Sequence, residues 1–365
     1  MLLYITAEDV FGGATPERRG PRPLHTIPAT VAGLFDLGLR HHVRRAALGW
    51  WTGEGLELAP DWKLDRLAIR LALYGRERMG LEPGGRVAVM GRLGWLWPAV
   101  DFAAMGFGVT PVGIEHDVTD DSLAAVVAEA APRAAFATDG ESAERLGRLR
   151  RAGRLGDTTV VAEGSSQGEG VLPLAELLNL GAVLDTAERA QAFRAFSRQI
   201  AAESPALWHA GPEGVVRLTH EAAMSQVAAA LRSRPASEGD VAYVDAPRVT
   251  LRKRLAVAAF VGDGHTMTAL GREGRAVEDV RELRPHKVVA SEPWLAAACD
   301  GRGPKWPAGL DRPWARRRVR EGFGGRLRWI EVESALANGT VRALAASGVT
   351  LDISGGGRGR PGFVN

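Results

Sequence analysis

Apolar positions divide the chain into alternating helices and short strands. Between residues 61 and 80, Leu64, Leu67, Ala68, Leu71 and Tyr74 or Gly75 fall on one helical face. Asp61 is placed to cap the start of this predicted helix and Gly80 its end. A Pro-Gly-Gly turn follows at residues 83–85, then an apolar run at 87–90 that predicts a buried strand. The alternation continues: helix 95–107 to strand 109–112, helix 122–131 to strand 134–137, helix 141–151 to strand 158–161. The polar, Gly-rich stretch 163–170 predicts a surface loop. A second series opens with strands 205–209 and 215–218 around Gly211-Pro212-Glu213-Gly214, which predicts a hairpin, and Thr219 caps a helix running to about Arg232. Later strands are expected at 241–244, 265–270, 287–290 and 327–330, with helices at 251–260, 277–283 and 335–346.

Short apolar strands alternating with amphipathic helices predict an α/β protein with mostly parallel sheets flanked by helices. The expected organisation is an extended lead-in over 1–25, a first α/β lobe over 26–190, a second over 200–353 and a flexible tail over 354–365. A length of 365 residues is ample for two such lobes.

Composition narrows the class. With 45% hydrophobic and 24% charged residues the chain is an ordinary globular one, which excludes collagen, coiled coil and disorder along most of its length. No apolar run reaches the roughly 18 residues of a membrane helix, and the start of the chain has no secretory pattern, so a cytoplasmic location is expected. The single cysteine, Cys299, excludes an internal disulfide and is expected to be a buried structural thiol. Of 46 basic residues only Lys63, Lys253, Lys287 and Lys305 are lysine. That bias, with 45 glycines, reflects coding composition and weakens any inference from basic patches. The arginines and tryptophans between Lys305 and Arg320 are therefore expected to form a solvated loop, and no nucleic-acid partner is expected. His41, His42, His209, His220 and His265 show no ligand spacing, so no metal site is expected; His220 is expected to pack locally at a helix start. The Trp50–Trp51 and Trp95/Trp97 pairs are expected as core or interface aromatics.

Six segments in order resemble the N-terminal domain of the adenylate-forming (AMP-binding) superfamily, long-chain acyl-CoA synthetases above all. Leu81-Glu82-Pro83-Gly84-Gly85-Arg86-Val87-Ala88-Val89 resembles its G-L-x-P-G-D-R-V-A-I segment, and Trp95-Leu96-Trp97-Pro98-Ala99-Val100 its E-W-x-x-A helix. Gly106-Phe107-Gly108-Val109-Thr110-Pro111 resembles G-A-V-x-V-P, and Gly214-Val215-Val216-Arg217-Leu218-Thr219-His220 resembles K-G-V-x-x-T-H. Val277 to Pro285 resembles the helix before R-P-T, and Phe323-Gly324-Gly325-Arg326-Leu327-Arg328-Trp329-Ile330 resembles L-G-G-R-L-R-x-I.

The resemblance implies ATP and carboxylate binding, acyl-adenylate formation and transfer of the acyl group to coenzyme A. The sequence departs from the family pattern where that chemistry is housed. The family's T-S-G-T-T-G-x-P-K-G phosphate loop falls on His209-Ala210-Gly211-Pro212-Glu213-Gly214, which lacks the hydroxyls and holds Glu213 where the lysine stands. A carboxylate about 4 Å from a phosphate charge, at an effective dielectric of about 20, costs about 4 kcal/mol. The histidine of P-L-x-H becomes Thr250 in Pro247-Arg248-Val249-Thr250, and S-G-G-A-P-L falls on Glu331 to Leu336, with Glu331, Glu333 and Ser334 in its first four positions. The Y-G-x-T-E acid that helps hold magnesium falls in a Gly-rich stretch at 355–359 with no acid, and the family's C-terminal domain with its lysine is not expected in this chain.

These departures imply a pseudoenzyme of fatty acid metabolism, with no cofactor expected. It would act as an acyl- or carboxylate-binding or partner subunit, with Pro247, Thr250, Glu331, Glu333 and Ser334 as candidate pocket residues and a protein partner or homo-oligomer in prospect. One alternative is an active fatty-acid–CoA ligase using ATP, magnesium and coenzyme A, its atypical site completed by a separate chain. Another is a structural protein without a small ligand. Glu331 and Glu333 also admit two readings, a carboxylate pair or solvated loop acids.

Overall fold

A computed structural model describes residues 27–41, 46–163, 170–233, 239–245, 248–265, 267–295, 321, 323–333 and 349–353. The lead-in, the tail, the helix expected at 335–346, the arginine-rich segment, Cys299, Pro247 and Ser334 lie outside the described residues.

The chain opens with α1 (Val31–His41), the hairpin β1 (Ala46–Thr52) and β2 (Gly55–Ala59), and α2 (Asp61–Met79). A strand–helix alternation follows: β3 (Arg86–Met90), α3 (Leu96–Gly106), β4 (Thr110–Ile114), α4 (Asp120–Ala130), β5 (Ala134–Ala137), α5 (Gly140–Arg151), β6 (Thr159–Ala162) and β7 (Val171–Pro173). Helices α6 (Leu174–Leu184) and α7 (Ala187–Ser197) lead to β8 (Pro205–Gly211) and β9 (Gly214–Thr219). The second series is α8 (His220–Ser233), β10 (Val241–Val244), α9 (Leu251–Gly262), β11 (Met267–Leu270), α10 (Ala276–Leu283), β12 (Lys287–Ala290), β13 (Trp329–Val332) and β14 (Thr350–Ile353).

Two seven-stranded sheets result, ordered β7-β6-β5-β3-β4-β8-β9 and β14-β13-β12-β10-β11-β1-β2. Every neighbouring pair is parallel except the hairpins β1–β2 and β8–β9 at one edge of each sheet. The α/β class with mostly parallel sheets is therefore as expected. The division into lobes 26–190 and 200–353 does not coincide with the sheets. The hairpin β1–β2 from the first segment extends the second sheet, and β8–β9 from the second segment extends the first. Periodicity locates strands but carries no record of which sheet they join.

The two sheets enclose a shared helical layer. Strand residues alternate between its core and an outer one: Ala242 and Val244 face the large central cluster with Phe35, Phe102 and Val257, whereas Val241 and Tyr243 face an outer cluster with Val280 and Leu283. On the first sheet, Val87 and Val89 face inward and Ala88 and Met90 pack outward with Leu123 and Leu146. Both faces of each sheet are covered, which explains the uninterrupted apolar strands.

Local chemistry sets the element ends. Gly80, at φ 63°, takes the left-handed C-cap of α2, as expected. Pro60 holds the N-cap position, so Asp61 is the first helical residue, an acidic group in the first turn where the helix dipole favours it. Thr119 caps α4 by accepting from Ser122 N at 3.2 Å, Asp139 caps α5 by accepting from Ser142 N at 2.8 Å, and Thr219 Oγ accepts from Ala222 N at 3.2 Å. His220 does not pack locally: its Nδ1 accepts from Val31 N at 3.3 Å, joining the start of α8 to α1.

Candidate functional site

In each strand–helix series the chain starts at an inner strand, adds one neighbour on one side and then continues on the other. For the first sheet that inner strand is β3, flanked by β4 and β5; for the second it is β10, flanked by β11 and β12. Loops leaving β3 and β5 part in opposite directions, as do those leaving β10 and β12. Ligands of open α/β sheets bind at such crevices, outside the carboxyl ends of the strands.

The crevice of the second sheet is filled by the protein's own charges. Asp245, after β10, accepts from Ser291 N at 2.9 Å and Ser291 Oγ at 2.6 Å across the gap to β12. Lys253 Nζ pairs with Asp245, donates to Arg248 O at 2.9 Å and lies 3.9 Å from Glu333 Oε2; its side chain is fully buried. Thr250 caps α9 and hydrogen-bonds Glu333. Arg252 pairs with the buried Glu331, and Arg248 pairs with Asp117 at 2.9 Å, tying this crevice to the end of β4 in the other sheet. Burial pushes the Glu333 carboxyl above its ordinary range, with Lys253 and the Thr250 hydrogen bond opposing. The two glutamates are thus neither solvated loop acids nor a pair bonded to each other. Each is held by a different residue of the first turns of α9.

One residue further along α9, Arg254 crosses the central layer. Its Nε and Nη2 donate to Asp101 of α3 at 3.0 and 2.5 Å, and Nη1 donates to Trp208 O at 2.8 Å. The guanidinium lies 5.2 Å from the Trp97 ring centroid, within cation–π reach. Gly113 makes room for it: a Cβ there would sit 2.2 Å from Arg254 Nη1. Arg254 Nη1 also stands 3.4 Å from His209 Nδ1, and His209 Nε2 lies 3.0 Å from Glu115 Oε1. Burial lowers the His209 pKa, while the Glu115 hydrogen bond opposes. A neutral ring donating Nε2–H to Glu115 and accepting at Nδ1 satisfies both neighbours.

The stretch expected as a degenerate phosphate loop is a β-hairpin tip. His209 and Ala210 lie inside β8, Gly211 pairs with Gly214, and Pro212 and Glu213 form the exposed turn. Behind it, a Cβ on Gly211 would meet Glu115 Oε1 at 2.8 Å. The structure therefore brings His209 to Arg254, and Thr250 to Glu333. Glu213 is not joined to that network by any hydrogen bond or ion pair among the described residues. Periodicity did not reveal Asp101, Glu115, Asp117, Asp245, Lys253 or Arg254. A sequence signal existed for two of them: Asp101 interrupts the otherwise apolar Leu96–Gly106, and Arg254 lies against an apolar run to Val261. Among the described residues no group of three or more His, Cys, Asp or Glu is placed to hold a metal.

The crevice of the first sheet opens into a cavity of about 420 Å³ between the two sheets. Trp50–Thr52 of β1 and Leu270–Glu273 after β11 form one wall; Arg92–Trp95 after β3, Thr138–Asp139 after β5 and Glu163 after β6 form the other. Trp50 and Trp95, expected as core or interface aromatics, meet across it with ring centroids 6.0 Å apart.

Solved structures share this double-sheet arrangement. The Mycobacterium tuberculosis fatty acyl CoA synthetase superposes with a TM-score of 0.66 at 16% identity, over 88% of this chain and 58% of that one. The A-PCP didomain of carboxylic acid reductase from Segniliparus rugosus, in complex with AMP, gives 0.66 at 16% identity over 92% of this chain and 53% of that one. The N-terminal domain of FACL13 from Mycobacterium tuberculosis gives 0.64 at 15% identity, over 89% and 75%. The chain thus spans little more than half of the first two structures. No curated protein sequence matches it. The sequence pattern of the AMP-binding enzyme family matches residues 63–308, and the chain belongs to that family.

Proposed function

We propose that this chain is a catalytically degenerate family member that does not adenylate acyl groups by itself and acts as a binding or partner subunit in the cytoplasm. One observation carries the reading. Arg248, Arg252, Lys253 and Arg254, the cations leading into and opening α9, are each ion-paired to a carboxylate of the same chain. An ATP phosphate entering there would have to displace an internal carboxylate and would face Glu115, Asp117, Glu331 and Glu333. Each like-charge approach at about 4 Å costs about 4 kcal/mol at a dielectric of about 20. The residues present do not fit ATP and magnesium. The Thr250–Glu333 and Lys253–Glu333 contacts tie candidate pocket residues to one another, which supports a partner role for this crevice over ligand binding.

Isothermal titration with ATP·Mg tests the proposal, together with a pyrophosphate-release assay over a panel of fatty acids. The expected outcome is no saturable heat and no pyrophosphate. Micromolar affinity for ATP would overturn it. Pyrophosphate release that needs an added second chain and survives Glu213→Ala would establish the ligase alternative instead.

A further inference from the structure

We propose that the cavity at the first sheet's crevice is a binding site for a small organic cation, an ammonium group carried on an apolar body. The site is separate from the ion-paired crevice of the second sheet and does not depend on the proposal above.

Three features of the wall select the ligand. First, its cations are already neutralised. Arg92 faces Glu273 at 3.4 Å across the two sheets. Arg272 donates Nε and its backbone N–H to Asp279 at 2.6 and 2.8 Å and covers the Trp51 ring at 3.7 Å. Second, its remaining carboxylates have no cationic partner among the described residues. Asp139 accepts only backbone N–H groups, from Arg92 at 2.7 Å and Ser142 at 2.8 Å. Glu163 accepts from the neutral indole Nε1–H of Trp95 at 2.9 Å. The cavity walls and the nearby Glu57 raise the Glu163 pKa, as expected of a carboxylate short of positive charge, and the indole hydrogen bond opposes them. Third, the apolar part of the wall is aromatic: the Trp50 and Trp95 rings meet at 38° beside Glu163, and Leu93 and Leu270 complete it. Indole faces attract cations, and Lys63 Nζ lies 5.9 Å from the Trp50 centroid. A carboxylate hydrogen-bonded to the edge of one indole, beside a second indole, offers an ammonium group both charge and π-surface. A volume of about 420 Å³ suits a small molecule.

The test titrates the full chain with benzylammonium, and with benzyl alcohol and benzoate as the neutral and anionic comparators. It follows tryptophan fluorescence and the indole N–H resonances by NMR. Benzylammonium should saturate, shift the Trp95 indole signal, and bind at least about tenfold more tightly than either comparator. Glu163→Gln should weaken it about tenfold. Lowering the pH through the raised Glu163 pKa should weaken binding in the unaltered protein, because protonation removes the anion. Equal binding of benzyl alcohol or benzoate would overturn the proposal. So would no saturation by about 50 mM, or a Glu163→Gln affinity equal to that of the unaltered protein with no fall in affinity at low pH.

Discussion

Asp101→Ala removes the carboxylate that holds Arg254 inside the central helical layer. The two side chains are 7% and 1% exposed, so the guanidinium left behind cannot reach water without opening α3 from α9. Two charge-assisted hydrogen bonds, at 3.0 and 2.5 Å, are lost. Trp208 O and the Trp97 ring remain as partial compensation. Removing one member of a buried ion pair costs roughly 3–5 kcal/mol, and the surviving contacts place this case near about 3 kcal/mol. Urea unfolding followed by tryptophan fluorescence and far-UV circular dichroism measures it, provided the two probes give coincident transitions. The double variant Asp101→Ala/Arg254→Met supplies the sharper number. It removes the stranded charge and keeps an apolar side chain of similar length, so it should be more stable than Asp101→Ala alone, with a coupling energy of about 2 kcal/mol. A loss below about 1 kcal/mol in the single variant, or strict additivity in the double, would refute the view that this pair is a closed structural unit.

Burial pushes the His220 pKa down to about 4 from 6.5, so the folded state keeps the ring neutral where the unfolded chain protonates it. Its contribution is complete above about pH 6.5 and is lost as pH falls towards 4, amounting to about 3 kcal/mol. Unfolding free energies at pH 7 and pH 4.5 should therefore differ less for His220→Gln than for the unaltered protein. An equal difference would contradict the assignment. Gly113→Ala should cost about 1–3 kcal/mol, since its Cβ would overlap Arg254 Nη1 at 2.2 Å and Trp97 at 2.8 Å. A melting temperature unchanged by that substitution would show that Arg254 has room to move. ATP·Mg should leave the melting temperature unchanged, because a ligand with no affinity for the folded state shifts no equilibrium.

Much of the alternation was legible in the sequence because each element buries a stripe or a face. Predicted strands at 134–137, 241–244 and 287–290 agree with β5, β10 and β12, and most helix ends fall within a few residues. Elements without a clean period were not expected. β1 and β2 carry Trp50, Trp51 and glycines in place of a regular apolar run, and α6 and α7 pack on α2 and α3 through only a few buried residues each.

The sequence by itself determined the fold class and the family resemblance, since those are properties of consecutive positions. Tertiary structure decided which sheet each hairpin joins and that Glu331 and Glu333 are held by Arg252 and Thr250. It also brought Asp101 to Arg254, 153 positions apart. Charge pairing and cavity walls depend on distance in space, and no pattern along a chain carries the meeting of Trp50 with Trp95 beside Glu163.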